Sequence, residues 1–117
     1  PLRILIPMVT QVEELIAVRT LVDHCARGLR NEGLEPPDRI DIGPMIEVPA
    51  AAIGVRNLLP HSDFIALGTN DLAQYLLAAD RNNDALSALY DPLHPALLRL
   101  IAHVIASGRR AGKPVSL

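Results

Sequence analysis

Short apolar runs and amphipathic stretches alternate along this chain. Leu2 to Ile6 is apolar except for Arg3 and reads as a strand. Thr10-Gln11-Val12-Glu13 has the form of a capping box, in which the Thr hydroxyl and the Glu carboxylate satisfy amides at a helix start. A long helix is expected to follow. Val12, Leu15, Ile16, Arg19, Val22, Cys25, Ala26 and Leu29 recur at spacings of three and four, with Arg19 the one charge on the face, and Gly33 closes the pattern before Pro36-Pro37. Ile40 to Ile46 reads as a second strand, in which Gly43 and Pro44 predict an irregularity or bulge. Pro49 suits the first turn of a helix, where its missing N–H is no loss, and Ala50 to Leu59 continues that helix. Phe64-Ile65-Ala66-Leu67 is a continuous apolar run stopped by Gly68, the pattern of a strand covered on both faces. Asp71 to Ala79 has helical character, Asp80 to Asp84 is a polar loop, and Ala85 to Tyr90 is a short further segment. Pro95 opens the last helix, whose stripe is Leu97, Leu98, Ile101, Val104 and Ile105 and which ends near Gly112. Pro114 to Leu117 looks like the start of another strand.

Three strand-then-helix units and the beginning of a fourth predict an α/β fold with a parallel sheet. Right-handed crossovers of this kind build either a doubly wound sheet or a piece of an eight-stranded barrel, and periodicity does not choose between them. No Gly-x-Gly-x-x-Gly turn and no Gly-x-x-x-x-Gly-Lys-Ser/Thr loop follows any strand, so the usual signatures of nucleotide-binding sheets are missing. With 117 residues the chain has the size of one ordinary domain. It nevertheless opens inside a strand, without an initiating Met, and closes at the start of another, so both ends are expected to be cuts through a larger protein.

Composition narrows the classes of function. Half the residues are apolar, yet there are only two Tyr, one Phe and no Trp, so the core must be Leu, Ile, Val and Ala. A net charge of -2 gives no electrostatic reason to expect nucleic acid or an anionic membrane as partner. A small molecule or a protein is the expected partner. Cys25 is the single cysteine, which excludes an internal disulfide and a Cys-based metal framework and suits a reducing, cytoplasmic compartment. Its place on the apolar stripe of the first helix predicts core packing. No apolar stretch approaches a membrane span, and the start lacks the pattern of a secretory leader. His24, His61, His94 and His103 are scattered without ligand spacing and are expected to be structural or solvated. Arg109-Arg110 suits the negative end of the last helix.

The densest polar cluster is Gly68-Thr69-Asn70-Asp71-Leu72-Ala73-Gln74-Tyr75, followed by Asp80-Arg81-Asn82. It comes directly after the most apolar strand, and in parallel sheets the segments after the strands carry ligands. Glu47 follows the second strand and Asp71 the third, so both carboxylates should rise at the same edge of the sheet on adjacent strands. Two such groups could hold one Mg²⁺, which takes one or two protein carboxylates and leaves its other positions to water and substrate. Any one acidic residue taken singly is also compatible with a helix-start role, and for Glu47 alone that reading weighs as much as the metal one. Asn70, the nearby backbone amides and the Arg81 fork would supply donors to a phosphate or carboxylate beside the metal. Together these residues describe an anion plus metal site.

On these motifs the chain resembles the phosphoenolpyruvate-utilising enzymes. The Gly68-to-Tyr75 run with Asp80-Arg81-Asn82 matches that family's signature, Ile46-Glu47-Val48-Pro49-Ala50-Ala51 matches its metal-glutamate segment, and Tyr75 with Leu89-Tyr90-Asp91-Pro92-Leu93-His94-Pro95 is most similar to Enzyme I of the bacterial sugar phosphotransferase system. The resemblance extends over essentially the whole chain. It implies a fragment of a C-terminal TIM (β/α)8 barrel, about three to four consecutive βα units, that binds phosphoenolpyruvate with Mg²⁺. It implies Glu47 and Asp71 as metal ligands, and Asn70, Asp71 and Arg81 as substrate contacts. In that family the phosphoryl group passes to a histidine on a separate N-terminal domain and then to the phosphocarrier protein HPr, and the C-terminal domain forms a homodimer. The family's general-acid cysteine, in a Cys-Gly-Glu segment, is expected just beyond Leu117, and further phosphate-gripping arginines before Pro1. The 117 residues alone are therefore expected to be inactive. Two other readings go with this one: a fragment of pyruvate phosphate dikinase or phosphoenolpyruvate synthase, which share the Asn-Asp motif, and a non-catalytic dimerisation module whose uncovered sheet flanks favour self-association.

Overall fold

In the computed structural model of the protein, four parallel strands lie side by side in chain order. The structure describes the backbone of residues 1–117 and every side chain but that of Ser87. The elements are β1 Leu2–Ile6, α1 Val12–Asn31, β2 Ile40–Ile46, α2 Pro49–Ile53, α3 Val55–Leu58, β3 Ile65–Leu67, α4 Thr69–Leu77, α5 Pro95–Arg110 and β4 Val115–Ser116, with 3₁₀ turns at Leu59–His61 and Ser87–Leu89. A doubly wound sheet reverses its strand order at a switch point, and this sheet does not. Sequential order with a helical crossover after each strand is that of consecutive units of a (β/α)8 barrel. Among the described residues no helix is long and apolar enough to cross a membrane.

Alternation along the strands separates the two faces of the sheet. Ile46, Ile65 and Leu67 reach the helix layer, where they meet Leu15, Val55, Leu58, Leu72, Leu97 and Val104 in one aliphatic core. Arg3, Asp41 and Gly43 lie on the opposite face, where Arg3 pairs with Asp41 and its guanidinium sits 5.4 Å from the centre of the Phe64 ring. The core is built of aliphatic and small residues, as the shortage of aromatics predicts. At Gly108 the close approach of α5 to the sheet depends on the missing side chain, since a Cβ there would run into Val115 and stand 3.3 Å from Ile65 Cδ1.

Several boundaries differ from the sequence pattern. The bulge expected at Gly43-Pro44 is absent, and β1 pairs with β2 in unbroken register from Leu2↔Ile40 to Ile6↔Pro44. Gly43 serves packing instead, because a Cβ would collide with the Phe64 carbonyl. Pairing with β3 begins at Met45↔Ala66, so the missing N–H of Pro44 falls where the strand passes from one neighbour to the other. The helix expected over 49–59 breaks at Gly54, restarts as α3, and tightens into a 3₁₀ turn at Pro60. The capping carboxylate of α1 is Glu14 rather than Glu13: its Oε2 accepts from the Thr10 N–H at 2.7 Å, the Gln11 N–H at 2.9 Å and the Thr10 hydroxyl at 3.0 Å. The Thr10 amide, then the Gln11 amide, hold this carboxyl below the usual carboxylate range.

Cys25 is exposed and not part of the core. Only Leu15 of the α1 stripe is fully buried, while Ile16 and Leu29 are also exposed. A helix of 20 residues is about 30 Å long, whereas a five-residue strand spans about 17 Å, so the later turns of α1 run past the sheet they would cover. Likewise Leu97 and Val104 of α5 are buried, but Leu98 is exposed. Arg19, the charge on the apolar face, has a defined partner. Its Nη2 donates to Asp63 Oδ2 at 2.7 Å, and the same oxygen accepts from the Ile42 N–H at 2.8 Å, which ties α1 to β2 and to the turn before β3.

Candidate metal and anion site

Glu47 stands one residue past the end of β2 and is only 3% exposed. Its Oε1 accepts from the Met8 N–H at 2.7 Å, and no salt bridge among the described residues involves it. Burying a carboxylate without a counter-charge is costly. The environment of Glu47 therefore suits a cation brought from outside the chain. Met8, in the turn after β1, presents its amide from a left-handed backbone, φ 56°, a conformation that non-glycine residues seldom adopt.

The register Ile46↔Leu67 brings the residue after β2 beside the residue after β3. That second residue is Gly68, and a Cβ on it would lie 2.7 Å from Glu47 Oε2 and 2.8 Å from Glu47 Cβ. Only glycine leaves the carboxylate in place. Gly68 also caps α4, which starts at Thr69, two residues earlier than the sequence pattern suggests. The first intrahelical bond runs from the Leu72 N–H to the Gly68 carbonyl at 3.0 Å, so the N–H groups of Thr69, Asn70 and Asp71 precede it. They form the positive end of the helix, which favours anions.

Asp71 lies in the first turn of α4 and faces Arg81, with Nη2 and Oδ1 3.8 Å apart. The two side chains are 37% and 40% exposed, and an ion pair this long and this wet contributes little to stability. Arg81 returns to the site because Ala78 ends α4 in the left-handed conformation and the Arg81 N–H then donates to Gln74 Oε1 at 3.2 Å. The Tyr90 hydroxyl donates to the Asn70 carbonyl at 3.3 Å, fastening residue 90 to the start of α4. Glu47, Asn70, Asp71 and Arg81 thus all stand at the C-terminal edge of the sheet. Among the described residues no three His, Cys, Asp or Glu side chains converge as a metal cage. A cation held by Glu47 and Asp71 would complete its shell with water and substrate oxygens, as Mg²⁺ does.

Met8 and Tyr90 are structural parts of the site to which sequence reasoning gave no role, and Gly68, which opens the polar run, has the further role of leaving room for Glu47. Gly68 had a readable signal, a glycine directly after an apolar strand. Met8 had none, because nothing in its side chain foretells a positive φ. His94 takes a structural part, its Nδ1 accepting from the Ala96 N–H at 3.2 Å to cap α5.

A family model described as PEP-utilising enzyme, PEP-binding domain, matches residues 1–117. The chain belongs to that family. It is 40% identical over 116 residues to the phosphoenolpyruvate-protein phosphotransferase of Geobacillus stearothermophilus, covering 99% of the chain and 20% of the relative. It is 41% identical over 117 residues to that of Cupriavidus necator and 45% identical over 112 residues to that of Lactococcus lactis, covering 100% and 96% of the chain and 20% of each relative. The chain thus spans about a fifth of the length of these relatives. Two solved structures share the fold at 18% identity: the citrate synthase SbnG, TM-score 0.66 over 98% of this chain and 46% of that one, and an HpcH/HpaI aldolase from Desulfitobacterium hafniense, TM-score 0.62 over 97% and 47%. Both are barrel-like α/β proteins, in agreement with the sequential strand order.

Proposed function

We propose that this chain is the metal- and substrate-binding part of a phosphoenolpyruvate-protein phosphotransferase, the Enzyme I component of a bacterial phosphotransferase system. The observation that carries the reading is the buried Glu47 carboxylate, fixed by the Met8 amide beside the helix start that bears Asn70 and Asp71. The whole-length likeness to relatives bearing that enzyme's name supports it. Glu47 and Asp71 would hold Mg²⁺, which when bound draws negative charge from phosphoryl and carboxylate oxygens. Glu47 Oε1 is taken by Met8, which leaves Oε2, against Gly68, as the oxygen to offer. Asp71, paired with Arg81 only at 3.8 Å, would be free to hold the ion, and the Arg81 guanidinium would serve the substrate anion as a planar donor fork. The Asn70 amide and the first-turn N–H groups of α4 supply the remaining donors.

The phosphoryl group would pass to a histidine of another domain and then to HPr, in a cytoplasmic homodimer. The 117 residues alone should make no pyruvate from phosphoenolpyruvate, because they span about a fifth of the relatives that bear the enzyme's name. Titration of the full-length protein with Mn²⁺ tests the ligand assignment. Glu47→Gln and Asp71→Asn should each weaken binding at least about tenfold, and unchanged affinity and turnover in both would sink it.

A further inference from the structure

The N-terminal edge of the sheet carries a cleft of about 430 Å³ between the turn that follows α3 and the last turn of α5. Both walls belong to this chain. Leu59, Pro60 and Ala111 give the cleft an apolar lining, and its charged members are Arg56, Arg110 and Lys113, with no acidic residue among them. None of these cations forms a salt bridge among the described residues. Lys113 lies near enough to Asp63 to act on its charge, but Asp63 already holds Arg19 at 2.7 Å.

Ser107 adds an independent observation. It lines the same cleft and is 3% exposed, and its Oγ is the one buried side-chain polar atom among the described residues that lacks a hydrogen-bond partner. Leaving a buried hydroxyl unpaired costs free energy, so native structures rarely keep one without a reason. A donor waiting on an apolar floor, ringed by cations, matches a ligand with an anionic head and an apolar body. A bare inorganic ion would use the cations but not the floor.

We propose that this cleft binds a small organic anion, a carboxylate or phosphate group on a short apolar body, with Ser107 Oγ donating to the head and Arg110 and Lys113 neutralising it. The site lies across the sheet from Glu47 and Asp71 and does not depend on their assignment.

The test is calorimetric titration of the full-length protein with hexanoate and with phenyl phosphate, against hexanamide as the neutral counterpart of hexanoate. At least one anion should bind, the tighter one naming the head group, and hexanamide should bind at least about tenfold more weakly than hexanoate if the carboxylate is that head. Ser107→Ala should weaken the binding about tenfold, by loss of a hydrogen bond to a charged group. Arg110→Gln with Lys113→Gln should weaken it further and flatten its dependence on salt, while Glu47→Gln and Arg81→Gln leave it unchanged. Absence of binding by both anions, equal binding of hexanamide and hexanoate where hexanoate is the tighter anion, or loss of binding in Arg81→Gln but not in the Ser107 and Arg110/Lys113 variants would overturn the proposal.

Discussion

At the N-terminal edge of the sheet, Asp41 and Asp63 each meet a guanidinium, at 2.6 Å from Arg39 and 2.7 Å from Arg19, whereas at the C-terminal edge Glu47 meets only an amide and Asp71 stands 3.8 Å from Arg81. One edge closes its charges within the chain, and the other leaves them open. Closed pairs contribute to the fold, since they join β1, β2, α1 and the turn before β3. Open carboxylates contribute nothing comparable without a counter-charge. The left-handed backbone at Met8 makes the same point, for a strained residue that presents an amide to a buried carboxylate costs on the order of 1 kcal/mol in the empty protein. The division follows the barrel pattern in which the C-terminal face carries ligands and the N-terminal face carries stability.

Changes at the two edges should therefore separate binding from stability. The largest effect is expected for Gly68→Ala, whose Cβ would displace the Glu47 carboxylate. Mn²⁺ affinity should fall about 10- to 100-fold in a titration, and an unchanged affinity would remove Glu47 from the site. Asp63→Asn should lower stability by about 1–2 kcal/mol in denaturant unfolding, by loss of charge-assisted bonds to Arg19 and the Ile42 amide, and should leave Mn²⁺ binding intact. If it weakened binding as much as Gly68→Ala, the two edges would not be separate.

The acid response follows from Asp63. Burial pushes its carboxyl up, but the Arg19 guanidinium, the Ile42 amide and Lys113 outweigh that and hold it below its ordinary 3.8. Folded Asp63 takes up a proton less readily than unfolded Asp63, so its contribution is full above that value and is lost as pH falls through the lower folded value. Denaturation midpoints should drop below about pH 4, and Asp63→Asn should flatten that part of the profile. The smallest effect is expected for Cys25→Ser, within about 0.5 kcal/mol, because the thiol is exposed. A thiol reagent should label Cys25 without denaturant, and protection would return it to a core.

The strand-helix alternation could be read from periodicity, because an apolar run such as Phe64 to Leu67 stopped by Gly68 is a local signal, and the polar run after it marked the edge proposed to carry ligands. Arg19 on an apolar stripe was visible as an exception, but its partner Asp63 is distant in sequence, and no local pattern links them. Gly43 shows the opposite limit. Read locally it predicts a bulge, and in the fold it answers to the carbonyl of Phe64, the residue before β3. Cys25 falls on the apolar stripe by spacing but is exposed, since burial depends on what lies beyond a face, which a single helix does not encode. The strand order that selects a barrel over a doubly wound sheet is likewise a property of pairing. For the site, Glu47, Asn70, Asp71 and Arg81 were available as residue types after strands, while the supporting Met8 amide was not.

Paramagnetic broadening by Mn²⁺ in the full-length protein, with amide resonances of this region assigned, tests the division most directly. Glu47 and Asp41 are six residues apart on one extended segment, about 20 Å, which is enough to resolve the two edges. The expected result is loss of the Met8, Glu47 and Gly68-to-Asp71 signals at low Mn²⁺ while those of Arg39, Asp41 and Asp63 persist, with Glu47→Gln abolishing the pattern. Broadening centred on Asp41 and Asp63, or an unchanged pattern in Glu47→Gln, would contradict it.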